Sequence, residues 1–182
     1  MSKNLAWVRW WACPWQNAHY DWHTHKGFVE TAALSRSHHH QLSRLFGIEP
    51  QLPPPPCVAV LQLVLARAWQ RDLVLQLVKE IGNPSPDSPL NEEHRLWCQR
   101  LTKALAPDPI PVSVEDPLHC LRAWVPPAVW QRLRLSFAYH RVLELEKHPR
   151  LSTTHGRSDT VWQAALWRAT STTFNESLPP YL

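Results

Sequence analysis

The sequence predicts an all-α protein, a single irregular helical domain whose short helices are joined by proline-rich corners. Apolar residues recur with helical spacing through most of the longer segments. The chain contains 18 prolines and only 4 glycines, which gives many helix stops and few turns of positive φ. Hydrophobic residues make up 44% and charged residues 19% of the 182 residues, so the chain has the composition of a folded globular protein.

Four consecutive prolines at residues 53–56 form the clearest internal boundary. A run of this kind is stiff and extended and cannot continue a helix. It separates a Trp- and His-rich N-terminal subdomain, residues 1–52, from a helical core, residues 57–170. Residues 171–182 are expected to form a loose tail. We interpret the whole as one domain.

Two helices are predicted on either side of this boundary. Residues 28–46 carry an apolar side, and Gly47 is placed to terminate that helix. Residues 57–81 are apolar on most of their circumference, as expected of a central helix, and Gly82 ends them.

The second half of the chain alternates predicted helices with proline-containing turns. Ser88 and Pro89 suit the N-cap and first position of a helix, and Asp116 with Pro117 suit another. Residues 106–112 (APDPIPV) are expected to be extended. The predicted helices are residues 89–105, 117–124, 128–147 and 161–169. Residues 132–137 (RLRLSF) alternate with period two and also fit a short β element, although their flanks favour helix.

No signal peptide or membrane span is expected from the sequence. The apolar segment at residues 57–81 is interrupted by Gln70, Arg71 and Asp72, which would be costly in lipid. The four cysteines include no CxxC pair, which argues against a disulfide framework or a zinc knot. We expect a cytoplasmic protein.

Positive charge is concentrated in the last third of the chain. Residues 117–182 hold 8 Lys or Arg against 4 Asp or Glu, whereas residues 1–116 hold 11 of each. The basic face is formed by Arg122, Arg132, Arg134, Arg141, Lys147 and Arg150. Such a face could meet nucleic acid, anionic lipid or an acidic protein. A nucleic-acid-binding regulator is therefore one alternative function.

Histidines provide the second alternative, a metal-dependent hydrolase. His19, His23 and His25 are metal-capable ligands at close spacing, but a surface or structural role is favoured because no HExxH-like motif accompanies them. His94 and Cys98 are spaced i, i+4, which gives only two ligands. The sequence lacks a GxSxG elbow, a Walker A loop and a GxGxxG fingerprint. We therefore expect no enzymatic activity, no bound metal and no cofactor.

Protein binding is the favoured function. Tryptophan and arginine are the side chains most enriched at binding hot spots. Arginine also pairs well with carboxylates, so an acidic partner surface is expected. The predicted partner-binding residues are Trp124, Trp130, Arg132, Arg134 and Arg141.

Two stretches of the chain resemble one known family. Residues 121–146 read LRAWVPPAVWQRLRLSFAYHRVLELE, and residues 7–23 read WVRWWACPWQNAHYDWH. The first is similar to the SctK family, accessory cytosolic proteins of bacterial type III secretion systems, and the second resembles its plant-pathogen branch, HrpD. The shared pattern is a Leu-rich start, a proline, a tryptophan, then RLRL, a phenylalanine, and Arg-Val before Leu-Glu. Ala138 departs from it, because proline is expected after the phenylalanine.

The resemblance implies a non-enzymatic component of the sorting platform beneath the injectisome. Members of the family link the cytoplasmic domain of the inner-membrane ring protein (SctD) to the pod protein (SctQ). The pod protein in turn connects to the stator-like protein (SctL) and the ATPase (SctN). The resemblance thus implies these partners, no nucleic acid, no direct membrane insertion, and a cytoplasmic position at the inner-membrane base of the apparatus.

Overall fold

A computed structural model describes residues 2–24, 39–106, 115–152 and 157–171. Within these ranges the chain is mostly helical and contains no strand, which confirms the all-α prediction. The alternative of a β element at residues 132–137 is wrong, because Arg134–Ser136 form one turn of 3-10 helix. No helix in the described ranges is both long enough and apolar enough to cross a bilayer.

The helices are numbered in chain order. They are α1 (Lys3–Ala12), α2 (Tyr20–His23), α3 (His39–Leu45), α4 (Val58–Leu65), α5 (Ala68–Gly82), α6 (Glu92–Leu105), α7 (Leu118–Trp124), α8 (Pro127–Leu133), α9 (Tyr139–Glu146) and α10 (Arg157–Ser171). A second 3-10 turn, Pro14–Asn17, follows α1.

The contacts divide the chain into two compact units, each assembled from two separate stretches. The first unit comprises Met1–Leu65 and Leu118–Thr153, and the second comprises Ala66–Pro117 and Thr154–Leu182. The proline run at residues 53–56 therefore lies inside the first unit. The predicted division into residues 1–52 and 57–170 stays a prediction.

The single helix predicted for residues 57–81 is wrong, because α4 ends at Leu65 and α5 begins at Ala68. Arg67 has an extended backbone, with φ −64° and ψ 157°. Side chains satisfy the backbone groups that the break leaves open: Gln70 Oε1 accepts from the Arg67 amide at 2.9 Å, and Arg71 donates to the Ala66 carbonyl at 2.7 Å. No proline or glycine marks this break, so periodicity alone missed it.

The single helix predicted for residues 128–147 is also wrong. After α8 the chain makes the 3-10 turn, then becomes extended at Phe137 (φ −118°, ψ 161°) before α9 begins. Four nearly consecutive side chains, Leu133, Leu135, Ser136 and Phe137, are at most 3% exposed. A straight helix points successive side chains in directions 100° apart, so it cannot bury such a run against one neighbour.

Ala138 occupies the position where the family pattern suggested proline. Its φ of −56° and ψ of 134° are values that proline also adopts. The carbonyl of Ala138 accepts the Val142 amide at 3.1 Å, so the residue acts as the N-cap of α9. The turn thus has a proline-compatible geometry without proline.

One of the predicted helix caps is wrong. Ser88 is not the N-cap of α6, which begins at Glu92 after Asn91, whose Oδ1 accepts the His94 amide at 2.8 Å. Glu92 and Glu93 in the first turn favour this start through the helix dipole. Gly47 does terminate α3, with φ +58°. The predicted helix start at residue 28 lies outside the described residues.

The second unit has a mainly aliphatic core. Helix α5 packs on α10 and on α6. The buried side chains on these three helices include Val74, Leu75, Leu77, Val78, Ile81, Cys98, Val161, Trp162, Ala165, Leu166 and Ala169. The first unit, by contrast, is rich in tryptophan, and it contains every residue that the sequence nominated for partner binding.

Candidate interaction site in the first unit

The tryptophans of the N-terminal stretch form part of the core of the first unit. Trp7, Trp10, Trp11, Trp15 and Trp22 are each at most 5% exposed. The rings of Trp7, Trp10 and Trp11 lie with centroids 5.0 to 6.2 Å apart. These five side chains therefore belong to the core and not to the surface of the unit.

Indole N–H groups tie distant segments together by donating to backbone carbonyls. Trp7 donates to the carbonyl of Pro54 at 2.9 Å and Trp11 to that of Gln51 at 2.8 Å. Trp22 donates to the carbonyl of Phe137 at 2.8 Å. Proline brings a carbonyl but no N–H, so proline-rich segments have an excess of acceptors. Tryptophan is a donor-only side chain and supplies the missing donors.

Arg132 extends the same chemistry into the middle of the unit. The residue is only 4% exposed, and its guanidinium donates to three backbone carbonyls, those of Trp11 at 3.1 Å, Ala128 at 3.0 Å and Glu49 at 3.2 Å. Its central carbon also lies 3.8 Å from the centroid of the Trp11 ring. Desolvation by burial lowers the pKa of Arg132 to about 10, so the group remains charged at neutral pH.

The charge of Arg132 has no carboxylate partner within 4 Å among the described residues. All three of its acceptors are neutral carbonyls. A guanidinium has five N–H donors, so three hydrogen bonds leave part of its donor capacity open. A buried cation usually has a compensating anion, so among the described residues Arg132 is an exception to this rule.

Arg134 has a carboxylate partner instead. Its Nη1 donates to both oxygens of Glu146, at 2.8 and 2.7 Å, and its Nη2 donates to the carbonyl of Phe46 at 2.6 Å. Trp130 donates to Oε1 of the same glutamate at 2.8 Å. The network joins the end of α3 to α8 and α9. A Cβ at Gly47 would lie 3.1 Å from Arg134 Nη2, so the close approach favours glycine there.

The structure therefore gives the predicted partner-binding residues a largely internal environment. Trp124 is 9% and Trp130 5% exposed, and the Arg134 side chain is 16% exposed. Trp130, Arg132 and Arg134 are brought together on α8 and the turn after it, whereas Trp124 lies on α7 and the half-buried Arg141 on α9. Their role in partner binding stays a prediction.

A cavity of about 500 Å³ lies within the first unit, and Arg132 is one of its lining residues. Its wall also includes the apolar side chains of Trp11, Ile48 and Leu52. The remaining lining residues are Ala12, His39, His40, Ser43, Glu49, Pro50 and Gln51. The sequence did not suggest this site, because its residues come from α1, α3, the segment after α3, and α8, and nothing local to any of them indicates a cavity.

Two arginines of the predicted basic face make hydrogen bonds within the first unit. Arg122 donates to the carbonyls of Leu145 at 3.2 Å and His148 at 2.9 Å. Arg150 donates to the carbonyls of Ala123 and Val125. These contacts join helix ends, and they engage guanidinium donors that a phosphate backbone would need.

Of the three histidines considered as metal ligands, the structure describes His19 and His23. His19 caps α2, with its Nδ1 accepting the Asp21 amide at 3.3 Å. The Asp21 carboxylate lies 3.5 Å from His19 Nδ1 and 3.7 Å from His140 Nδ1. No group of three His, Cys, Asp or Glu side chains in the described part of the chain is arranged to hold a metal ion. His25 lies outside the described residues.

His94 and Cys98 lie on one face of α6 in the second unit. His94 Nδ1 accepts from Arg168 at 3.3 Å, and the Cys98 thiol donates to the carbonyl of Leu77 at 3.8 Å. Burial, with the nearby charge of Glu80, raises the pKa of Cys98 to about 12. Cys98 is therefore a protonated thiol at neutral pH, whereas a metal ligand or nucleophile requires the thiolate.

No protein-family model, curated protein or solved structure matches this chain.

Proposed function

We propose that the chain is a non-enzymatic adaptor of a type III secretion sorting platform. In this role it links the cytoplasmic domain of the inner-membrane ring protein (SctD-like) to the pod protein (SctQ-like). Through the pod it reaches the stator-like protein (SctL-like) and the ATPase. It works at the cytoplasmic side of the inner-membrane base and needs no cofactor.

One observation supports the proposal: the two stretches that resemble the family pack directly on each other. Residues 7–23 and residues 121–146 are about a hundred residues apart in sequence and belong to one compact unit. Arg132 covers the ring of Trp11, and the indole of Trp22 donates to the carbonyl of Phe137 at 2.8 Å. The amide of His19 donates to the carbonyl of Leu135 at 2.7 Å.

This packing gives the family-like residues a physical reason to occur together. Tryptophans and arginines of one stretch satisfy carbonyls of the other, so a change in either stretch disturbs the shared core. A pattern that encodes such a core is expected to appear in both stretches at once. The pattern residues are mostly buried, so the adaptor proposal assigns docking to exposed groups around them.

Exposed apolar side chains offer candidate docking points in both units. Leu52 in the first unit is 86% exposed, and Trp167 on α10 in the second unit is 62% exposed. Large apolar side chains in solvent are common at protein-binding surfaces. An adaptor needs at least two such surfaces, one for each partner.

The test is an affinity purification from a bacterial lysate with a nuclease-treated control, read by mass spectrometry. We expect ring and pod proteins to be captured with and without nuclease. A Leu52→Ser variant and a Trp167→Ser variant should each lose capture of one partner class, because both positions are exposed and the substitutions leave the core intact. Capture of nucleic acid alone, or of the same partners by both variants at undiminished yield, contradicts the proposal.

A further inference from the structure

The cavity lined by Arg132 combines an apolar wall with a buried cation. Trp11 and Ile48 supply buried apolar surface, while Leu52 stands exposed at the rim. His39 and His40 lie on the α3 side, and His39 Nε2 donates to the carbonyl of Ala12 at 2.6 Å. Binding sites for small ligands and peptide side chains have this composition, apolar overall with a few converging polar groups.

The charge of Arg132 indicates which class of ligand the cavity is suited to bind. The guanidinium is 4% exposed, it has only neutral carbonyl acceptors, and no described carboxylate lies within 4 Å of it. Arg134, two residues further along the chain, differs from Arg132 because it donates to both carboxylate oxygens of Glu146. An anion in the cavity would pair with the buried charge of Arg132 and accept hydrogen bonds from the guanidinium N–H groups that have no acceptor.

We propose that this cavity binds an acidic segment of a partner protein, with an aspartate or glutamate carboxylate directed to Arg132 and a neighbouring apolar side chain against Trp11 and Leu52. The inference deepens the proposed adaptor function by naming the chemistry of one partner. It does not depend on which secretion component, or which other protein, supplies that segment.

Glu49 is the one acidic residue among the described residues that line the cavity. It is exposed at the rim, where water and salt screen its charge, whereas the charge of the buried Arg132 is screened far less. The two histidines beside it, His39 and His40, carry no negative charge in any protonation state. The balance of charge inside the cavity therefore favours an anion.

A peptide carboxylate fits this cavity better than a nucleic acid or a free phosphate. Nucleic-acid binding needs a series of cations along a groove, and the described lining offers one guanidinium and two imidazoles. The apolar wall formed by Trp11, Ile48 and Leu52 has no complement on a hydrated phosphate. An acidic residue next to a leucine or valine complements both parts of the site.

The test is an array of capped eight-residue peptides with randomised flanks around a central Leu-Glu or Leu-Asp pair, probed with the full-length protein. A matched array carries Leu-Gln and Leu-Asn. We expect the acidic array to retain the protein, and the best acidic peptides to bind roughly tenfold or more tightly than their amide versions, the effect of one charge-assisted hydrogen bond. Equal retention by the two arrays overturns the proposal.

Three variants locate the binding site. Leu52→Glu places an anion at the rim and should weaken the acidic peptides roughly tenfold, whereas Leu52→Lys should strengthen them. The control is Leu143→Glu, which adds the same charge at a 42% exposed position on α9 that is not part of the cavity lining. A loss of similar size in Leu143→Glu would assign the effect to net charge and overturn the cavity assignment.

Two further measurements distinguish the acidic-peptide proposal from a general anion site and from the secretion proposal. Displacement of the peptides by millimolar inorganic phosphate, at constant ionic strength, would show a general anion site and contradict the peptide assignment. Acidic peptides that bind at Leu52 while ring and pod proteins are not captured would leave the cavity proposal standing and remove the secretion proposal. If ring and pod proteins are captured but the peptide arrays show no preference for acidic peptides, the secretion proposal stands and the cavity proposal is removed.

Discussion

The described helices of the first unit run for four to ten residues, whereas α5, α6 and α10 of the second unit run for 15, 14 and 15 residues. The last four carbonyls of any helix have no partner within the helix. An eight-residue helix therefore leaves half of its carbonyls open, and a 15-residue helix leaves about a quarter. The first four amides of each helix are open in the same way, so short helices raise the number of open donors and acceptors alike. The prolines, which have a carbonyl but no N–H, add further acceptors without donors.

The two units satisfy their open backbone carbonyls with different side chains. In the first unit, tryptophan and arginine donors reach carbonyls that are far away in sequence, as Trp22 does at Phe137 and Arg132 at Trp11. The second unit also has charged donors on distant carbonyls, Lys79 on that of Glu115 at 2.7 Å and Arg157 on that of Ala106 at 2.9 Å, but these two contacts are exposed. Its core is mainly aliphatic. In the first unit, therefore, buried donor-only side chains connect distant segments in addition to the apolar packing.

The largest expected effect is the loss of the buried guanidinium in Arg132→Met. The variant keeps an apolar side chain over Trp11 but leaves the carbonyls of Trp11 and Glu49 without their Arg132 donor. At about 1–3 kcal/mol for each unsatisfied buried group, we expect the free energy of unfolding to fall by about 3 kcal/mol. Urea unfolding followed by circular dichroism measures it.

Arg100→Met is the control for this change. Arg100 is exposed on α6, so its replacement should alter the free energy of unfolding by less than about 0.5 kcal/mol. If Arg132→Met proved as mild as the control, apolar packing alone would hold the first unit, and the comparison with the second unit would fail.

A smaller effect is expected for Trp22→Phe, which removes one indole N–H and part of a buried ring. Trp22 is 5% exposed, and the carbonyl of Phe137 would lose its indole donor. We expect a loss of about 1–2 kcal/mol in the free energy of unfolding. Trp167→Phe makes the same chemical change at a 62% exposed position of the second unit and should cost less than about 0.5 kcal/mol. Equal losses at the two positions would argue against the donor role of Trp22.

The same donor chemistry explains what the sequence could predict. The helical class follows from spacing and composition. Gly47 was identifiable as a helix stop because glycine tolerates the positive φ that often follows a helix, and it does adopt φ +58°. The breaks at Arg67 and after Leu133 were not identifiable, because no proline or glycine marks them. They depend on Gln70 and Arg71 in one case and on the burial of consecutive side chains in the other, and both conditions arise from tertiary structure.

The candidate site was only partly accessible to sequence reasoning. Arg132 and Trp130 were selected as hot-spot residues, but their side-chain chemistry serves a buried contact as well as an exposed one. The structure adds that Arg132 reaches carbonyls 121 and 83 residues away in sequence, at Trp11 and Glu49. A cavity assembled over such separations leaves no local pattern, so Leu52 and His40 could not have been chosen from the sequence.

The smallest effect at neutral pH concerns the second unit, where Cys98 should behave as an apolar core residue. Its pKa is raised to about 12 from 9.0, chiefly by burial, so the thiol keeps its proton in the folded state at pH values where the unfolded chain has lost it. The resulting stability is fully present below pH 9.0 and is lost as pH rises from there to about 12. In Cys98→Ala the free energy of unfolding should therefore fall less steeply over this interval.

Alkylation by iodoacetamide at pH 8, read by peptide mass spectrometry, should modify the half-buried Cys13, Cys57 and Cys120 well before Cys98. Equally rapid modification of Cys98 in the folded protein would mean that the packing of α5 on α6 opens readily, and would contradict the role of Cys98 as a core residue.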